Sequence, residues 1–157
     1  MSDFISPIAF EKCYLSNINF DLREAFLHFR DQPDLSSIKH ELEVGHAIES
    51  AEENDAFKCK CTLILKWDVS TLNEDEEMNP LFHAEAEIVG FSSCLVGGKN
   101  PEEVTSVLNA STVGFLWAKI RDIFDDITGQ SIIGRVMLPP ITPQALLEEE
   151  KKEISVE

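Results

Sequence analysis

The chain has 157 residues, 43% of them hydrophobic and 27% charged, which predicts one globular domain that buries roughly 68–70% of its unfolded surface. Its charge is unusual, because 13 lysines and arginines stand against 29 aspartates and glutamates, a formal net charge of −16. Such a charge repels phosphate backbones and anionic membranes, so nucleic acid is excluded as a partner. No amino-terminal signal pattern and no run of about 18 apolar residues occurs, so we expect a cytoplasmic protein without membrane insertion.

The first two-thirds of the chain predict four antiparallel strands. From Phe57 to Val69, apolar and polar side chains alternate without a break, which marks a strand with one buried and one wet face and is typical of antiparallel sheets. Leu81 to Phe91 repeats the pattern, and the polar connection ending at Pro80 predicts a hairpin with a long tip. Two earlier strands are predicted over Ile8–Phe20 and Ile38–Ile48. In the first, apolar residues stand at even positions and are expected on one face: Ile8, Phe10, Tyr14, Ile18 and Phe20.

Residues 21–37 form a long connection between the first two strands. A connection of this length is often functional or crosses over the sheet. It carries the apolar cluster of Phe26, Leu27 and Phe29 beside Arg23 and Arg30. This cluster either caps the core or forms an exposed patch that binds a partner. The residues by themselves favour neither reading.

A long helix is predicted from Asn100-Pro101 to Thr128-Gly129. Asn is a good N-cap, and proline suits the first helical position. Ala110 to Gly114 is a weaker stretch where a kink is expected. The buried stripe of the first half is expected to comprise Val104, Val107, Leu108 and Ser111.

The second half of this helix is apolar over more than one face, through Leu116, Trp117, Ile120, Ile123, Phe124 and Ile127. A helix of this kind must be covered by a sheet, by partner subunits or by a client. A proline-marked passage, Leu138 to Thr142, leads to a short second helix that begins at Thr142-Pro143 and contains Leu146 and Leu147. Residues 148–157 form a charged tail.

No motif for catalysis or nucleotide binding is found. Cys59 and Cys61 lie two residues apart on one strand face among apolar neighbours, so they are interpreted as buried free thiols of a reducing cytosol. A zinc site on them would need two further ligands, for which His83 and Cys94 are poor candidates. We therefore expect no metal, no cofactor and no enzymatic activity. The acidic run, which lacks the glycine of a calcium loop, is interpreted as a solvated hairpin tip: Glu74, Asp75, Glu76 and Glu77.

The order of four strands, a crossover, a long helix, a proline-marked passage and a short helix resembles the SecB-type protein-export chaperones. Leu116-Trp117-Ala118-Lys119-Ile120-Arg121-Asp122 is similar to the family's helix signature. Ile127-Thr128-Gly129 with Leu138-Pro139-Pro140-Ile141-Thr142 resembles the helix end and the stretch before the last helix, and Asn17-Ile18-Asn19-Phe20 the end of the first strand. Ala118-Lys119 replaces the family's usual Pro-Tyr, which marks a divergent SecB-like member.

The resemblance implies an α+β fold, with a four-stranded antiparallel sheet (about 8–91) and a long and a short helix (about 101–152) on one face, as a single domain over 1–157. It implies an ATP-independent holdase for unfolded or precursor polypeptides in protein export. The alternative is a chaperone dedicated to one partner, such as the antitoxin of a toxin–antitoxin system. The family assembles as a homotetramer, a dimer of dimers, with long helices between subunits.

The resemblance also implies two functional surfaces. Clients would be held in apolar grooves between the crossover, the sheet and the helices, for which the candidate residues are Phe26, Leu27, Phe29, Trp117, Phe124 and Leu146. The export motor SecA would meet an acidic surface of the sheet, with candidates Glu74, Asp75, Glu76, Glu77, Glu85 and Glu87.

Overall fold

The architecture is one antiparallel sheet with helices on one face, as a computed structural model describes it for residues 8–22, 38–72, 78–95, 97–98 and 100–148. The elements are β1 (Ile8–Leu22), β2 (Ile38–Glu53), β3 (Ala56–Leu72), β4 (Met78–Leu95), α1 (Pro101–Gly129) and the short α2 (143–148). The strand order is β1-β4-β3-β2, so β1 and β2 are the edge strands. The predicted α+β fold class is confirmed.

The strands are longer than predicted, and the greatest extension of a single strand end is that of β2, from Ile48 to Glu53. Asn54 and Asp55 form a two-residue turn, both with positive φ (53° and 59°). Such a conformation matches the twist of paired strands and suits Asn and Asp better than other residues with a side chain. Pairing therefore continues to Glu53 opposite Ala56. The predicted β3–β4 hairpin forms, while its tip, 73–77, lies outside the described residues.

Two irregularities in β1 overturn the predicted face of Tyr14, whereas Ile8, Phe10, Ile18 and Phe20 share one face as predicted. The pairing with β4 shifts after Phe10 and again after Leu15. Each shift inserts one residue and exchanges the two faces of the strand. Tyr14 consequently lies opposite Val89 and packs on Phe91, 6.4 Å between ring centroids, on the face away from α1.

The core lies between β3, β4 and α1, with Trp67 at its centre. Its indole is fully buried and makes edge-on contacts with Phe82 and Phe124, at centroid distances of 4.9 and 5.6 Å. The indole N–H donates to Nδ1 of His40 over 3.1 Å, which requires a deprotonated Nδ1. Burial lowers the pKa of His40, in keeping with this neutral role. The odd-numbered residues from Phe57 to Val69 are all buried, as the alternation predicted.

Helix α1 begins as predicted and is continuous through the stretch where a kink was expected. Asn100 Oδ1 accepts the backbone N–H of Glu102 over 3.0 Å and caps the helix. The expected stripe is wrong at Val107, which is 58% exposed. Thr112, one turn after Leu108, is buried on the sheet-facing side of the helix. Its hydroxyl bonds to Ser92 and to the carbonyl of Leu108, each over 2.6 Å.

The apolar second half of α1 is covered mostly by its own chain. Residues 130–141 return along the helix, and two donors from α1 hold this segment. Trp117 Nε1 donates to the carbonyl of Pro139 over 3.0 Å, and Arg121 Nε to that of Leu138 over 2.9 Å. The side chains buried between sheet, helix and returning segment include Leu116, Trp117, Ile120, Phe124, Ile133, Val136 and Leu138. The part of α1 left for a partner is therefore smaller than the sequence indicated.

Replacing Gly90 by alanine is expected to destabilise the fold. A Cβ at Gly90 would lie 2.5 Å from Cδ2 and 3.2 Å from Cγ of Leu116, whose side chain is fully buried and has no room to move. Overpacking of this kind costs about 1–3 kcal/mol, measurable as a lower midpoint of urea unfolding at an unchanged slope. Gly45→Ala is the control, because its Cβ would meet nothing within 4 Å. Equal midpoints for the two variants would contradict this packing account.

Candidate functional site

The structure corrects two of the predicted client-binding residues. Trp117 is 3% exposed and Phe124 fully buried, so both belong to the core and neither forms an accessible surface. Phe124 packs on Trp67 of the sheet, and Trp117 bonds to the returning residues 130–141, whose position could not be predicted from helical periodicity. Leu146 is half-buried on α2. The crossover candidates Phe26, Leu27 and Phe29 lie outside the described residues.

A groove of about 620 Å³ lies on one side of α1, between β2, the amino-terminal half of α1 and α2; we call it the β2–α1–α2 groove. Its walls mix apolar and small polar side chains, including His46, Ile48, Thr105, Asn109, Ala110 and Leu147. The α2 helix is held against α1 where Pro143 packs at 3.4 Å from the position of a Cβ on Gly114. Two carboxylates, Glu102 and Glu148, also line the groove.

A second groove of about 380 Å³ lies on the other side of α1, above β1; we call it the β1–α1 groove. Its floor and walls include Phe10, Leu15, Ile88, Phe115, Ile123 and Lys119. Phe10 and Phe115 stack at 4.2 Å between centroids with an interplanar angle of 13°. Because α1 lies over β3 and β4, the apolar side chains of β1 on the helix side are left partly open.

The two sheet edges differ in charge and in apolar exposure. Strand β2 carries charged residues along its length, from Lys39 to Glu53, as exposed edge strands commonly do to prevent pairing with other chains. In β1, the eight residues Cys13–Phe20 contain no charge. Large apolar side chains of β1 that are 37–41% exposed are Phe10, Tyr14, Leu15, Ile18 and Leu22. Edge β1 thus lacks the protection that β2 has.

Two residues of the predicted acidic surface, Glu85 and Glu87, lie on the sheet face away from α1. Residues 74–77 lie outside the described part of the chain. Glu85 Oε1 lies 3.0 Å from His83 Nε2, and Asp68 Oδ1 lies 2.8 Å from His83 Nδ1, so this imidazole links two carboxylates. Glu87 Oε2 accepts the hydroxyl of Ser16 over 2.8 Å. The bond to Glu85, and next to it the bond and charge of Asp68, raise the pKa of His83 despite some burial.

The cysteines offer little thiolate chemistry. Cys59, Cys61 and Cys94 are buried and Cys13 is half-buried, and all four are free. Burial raises the pKa of the Cys61 thiol to about 12 and also raises the pKa of Cys59 and Cys13, which keeps these thiols protonated and poorly nucleophilic. Within the described ranges, no three His, Cys, Asp or Glu side chains converge in a way that could hold a metal ion. No helix among these residues is long and apolar enough to span a membrane.

Comparison with known proteins gives a likeness of fold. No protein-family model and no curated protein matches the sequence. Among solved structures, the chain is similar to the Mycobacterium tuberculosis SecB-like chaperone Rv1957 in complex with a ChAD peptide from the Rv1956 HigA1 antitoxin. The TM-score is 0.55 at 16% identity, over 85% of this chain and 90% of the other. The chain has a SecB-like fold. The resemblance inferred from the sequence is confirmed at that level.

A second similar structure is a protein of unknown function from Streptococcus agalactiae. It aligns with a TM-score of 0.45 at 11% identity, over 85% of this chain and 97% of that one.

The grooves of this SecB-like fold were not located by sequence reasoning. Leu15 and Phe115 were not candidates, because the first lies between the two β1 shifts and the second is one apolar residue in an apolar helix. The one available signal for the β1–α1 groove was the uncharged run Cys13–Phe20. The sequence did not show that its strand lies at an edge of the sheet.

The His83 cluster predicts a pH-dependent contribution to stability. Because the fold raises the pKa of His83, its stabilising effect is fully present below the unfolded pKa of about 6.5 and is lost as pH rises through the folded pKa. Titration of the imidazole by NMR should give a pKa above that of an unfolded histidine. Glu85→Gln should lower it more than Asp68→Asn, since Glu85 is the main cause.

His40 is the internal control for this titration, because burial moves its pKa the opposite way. Urea unfolding of Glu85→Gln should then show a smaller gain in stability on going from pH 8 to pH 6 than the wild type. A His83 pKa at or below about 6.5 in the wild type would contradict the cluster.

Proposed function

We propose that this protein is an ATP-independent chaperone that binds unfolded polypeptide segments in the grooves beside α1. The observation that carries the proposal is the pair of open, partly apolar grooves that flank one helix of a SecB-like fold. The similar M. tuberculosis structure, a SecB-like chaperone with a bound antitoxin peptide, supports a polypeptide as the ligand. This function requires no catalytic residue, metal or cofactor.

The physical basis is burial of apolar surface without sequence readout. Covering apolar side chains yields roughly 25 cal/mol per Å², so a groove with few directional groups holds many different segments. A chaperone that binds the unfolded state and not the native state delays folding and aggregation by mass action. The net charge of −16 keeps a protein with such surfaces soluble in the cytoplasm.

Two cellular roles are compatible with such a chaperone. In protein export, the chaperone would pass precursors to SecA through the acidic sheet face, with Glu85 and Glu87 of the described residues and Glu74–Glu77 at the hairpin tip. In the second, it would protect one dedicated partner such as an antitoxin. The antitoxin peptide of the similar M. tuberculosis structure favours the second. Affinity purification from the native host separates them, since a dedicated chaperone copurifies with one dominant protein.

We further propose that the chain assembles as a homotetramer, a dimer of dimers. Strand β1 supports a first contact, because its uncharged edge can pair with that of a second copy and extend the sheet in its plane. The outward side of α1, where Val107 is exposed, is suited to a second contact between such dimers.

Filling the β2–α1–α2 groove is expected to weaken client binding without unfolding the protein. Ala110→Trp places an indole on a half-buried helix position that lines the groove. Loss of about 60 Å² of apolar contact would reduce affinity roughly tenfold. The assay is ATP-free suppression of aggregation of a chemically unfolded protein at stoichiometric chaperone.

The matched control is Ala145→Trp, on the exposed side of α2 and outside the groove lining. It should act like the wild type. If the folded wild type fails to suppress aggregation, the proposed function is wrong; if Ala110→Trp is as active as the control, this groove does not hold clients.

The solution mass tests the assembly. Light scattering at micromolar concentration should give four times the 17.6 kDa of one chain. Ile18→Lys, which puts a charge in the open edge strand β1, should reduce that mass. Leu42→Lys is matched in exposure, 37% against 38% for Ile18, but lies on β2 and should leave the mass unchanged. A wild-type monomer would refute the assembly.

A further inference from the structure

The two grooves beside α1 carry opposite charge. Among the described residues, two carboxylates, Glu102 and Glu148, and no lysine or arginine line the β2–α1–α2 groove. In the β1–α1 groove, the charged side chain on the helix side of the sheet is Lys119; Glu11 and Lys12 contact Ser93 and Tyr14 on the face away from α1. In a chain whose net charge is −16, a groove whose charged side chain is a cation is a local reversal of the overall field.

Lys119 is the cation best placed to act in the β1–α1 groove. It is exposed, and its Nζ lies 5.4 Å from the ring centroid of Phe115, which in turn stacks on Phe10. Its positive charge also acts on the thiol of Cys13 in the same groove. The lysine thus stands beside the apolar floor rather than apart from it.

Lys119 differs from most other cations of the described part of the chain. Lys39, Lys58, Lys60 and Arg135 each lie within 4 Å of a carboxylate. Over the same residues, Lys119 has the aromatic ring of Phe115 as its contact and no ion pair. An ammonium on a ring face keeps its charge available to an anion on its open side.

We propose that the β1–α1 groove selects polypeptide segments in which a carboxylate neighbours aromatic or branched apolar side chains, whereas the β2–α1–α2 groove disfavours acidic segments. This inference rests on the proposed function and adds a client preference to it. The apolar side chains of the segment cover Phe10, Leu15 and Phe115, and its Asp or Glu pairs with Lys119. Covering the rings also removes water from the ammonium, which strengthens that ion pair.

The inference remains compatible with pairing of β1 between copies. Strand pairing extends the sheet in its own plane, whereas the β1–α1 groove opens on the helix side of the sheet. A second copy paired along β1 would lengthen the floor of this groove and leave its helix side open.

Fluorescence anisotropy with three labelled peptides tests the preference. The peptides share one sequence of Phe, Leu and Ser and differ at two positions that carry Asp, Asn or Lys. At low salt, we expect the wild type to bind the Asp peptide about fivefold more tightly than the Lys peptide, the size that partly exposed ion pairs allow. The difference should shrink as salt is raised, because these charges are screened.

Variants of Lys119 assign the preference to the groove. Lys119→Glu should reverse the order of the Asp and Lys peptides, and Lys119→Arg should keep it. The matched control is Lys66→Glu, which makes the same charge change at an exposed lysine on the opposite sheet face. It should keep the wild-type order. A benzophenone in place of one Phe of the Asp peptide should crosslink to β1 and to α1 near Phe115.

The outcomes distinguish failure of this inference from failure of the proposed function. Equal affinity for the three peptides, an unchanged order in Lys119→Glu, or crosslinks confined to the β2–α1–α2 groove would overturn this inference and leave the proposed function intact. Failure of every peptide to bind, together with no suppression of aggregation, would overturn both.

Discussion

The contact between Leu116 and Gly90 determines how the helix lies on the sheet. The missing side chain of Gly90 lets Leu116 descend onto β4, so α1 packs at close range over the two central strands. A helix is about 10–12 Å wide including its side chains, whereas four strands at about 4.8 Å spacing are wider. One helix centred on β3 and β4 therefore cannot cover β1 and β2. The two grooves result from this difference in width.

The buried aromatic cluster fixes the same arrangement at the other end of the helix. Trp67 on β3 meets Phe82 on β4 and Phe124 on α1, so strand, strand and helix share one interlocked contact. The indole N–H is satisfied by His40 on the edge strand β2, which ties that edge to the core. Residues 130–141 then cover the far side of α1 by accepting hydrogen bonds from Trp117 and Arg121. The central strands β3 and β4 are thus covered by α1, whereas the edge strands β1 and β2 are left partly open.

The sequence predicted the elements whose signals were local. The alternation in β3 was unambiguous because one face is fully buried, and Asn100-Pro101 marked the start of α1 by capping chemistry. Prediction from the sequence failed where contacts between distant parts of the chain determine the structure. The face of Tyr14 depends on two shifts against β4, which leave no mark in composition.

The candidate site was less predictable than the fold, for the same reason. Trp117 and Phe124 were reasonable groove candidates on an apolar helix, but the returning segment holds Trp117 and the sheet contacts Phe124 through Trp67. A segment without periodicity gives no indication of which surface it covers. Among the sheet residues, Glu85 and Glu87 were correctly expected on the face away from the helices, since strand alternation alone determines that. Their bonding to His83 and Ser16 required the cross-strand register.

The distribution of charge reconciles a high net charge with open apolar surfaces. Long-range repulsion between chains of net charge −16 opposes non-specific association, yet it is screened beyond about 8 Å at physiological salt. At contact distance, the charges of nearby side chains determine whether two chains associate. On β2, one lysine and five glutamates oppose strand pairing, and on β1 the uncharged run Cys13–Phe20 does not. Apolar side chains in the β1–α1 groove therefore lie where an extended chain meets least electrostatic opposition, and Lys119 lowers that opposition further for a chain that is itself acidic.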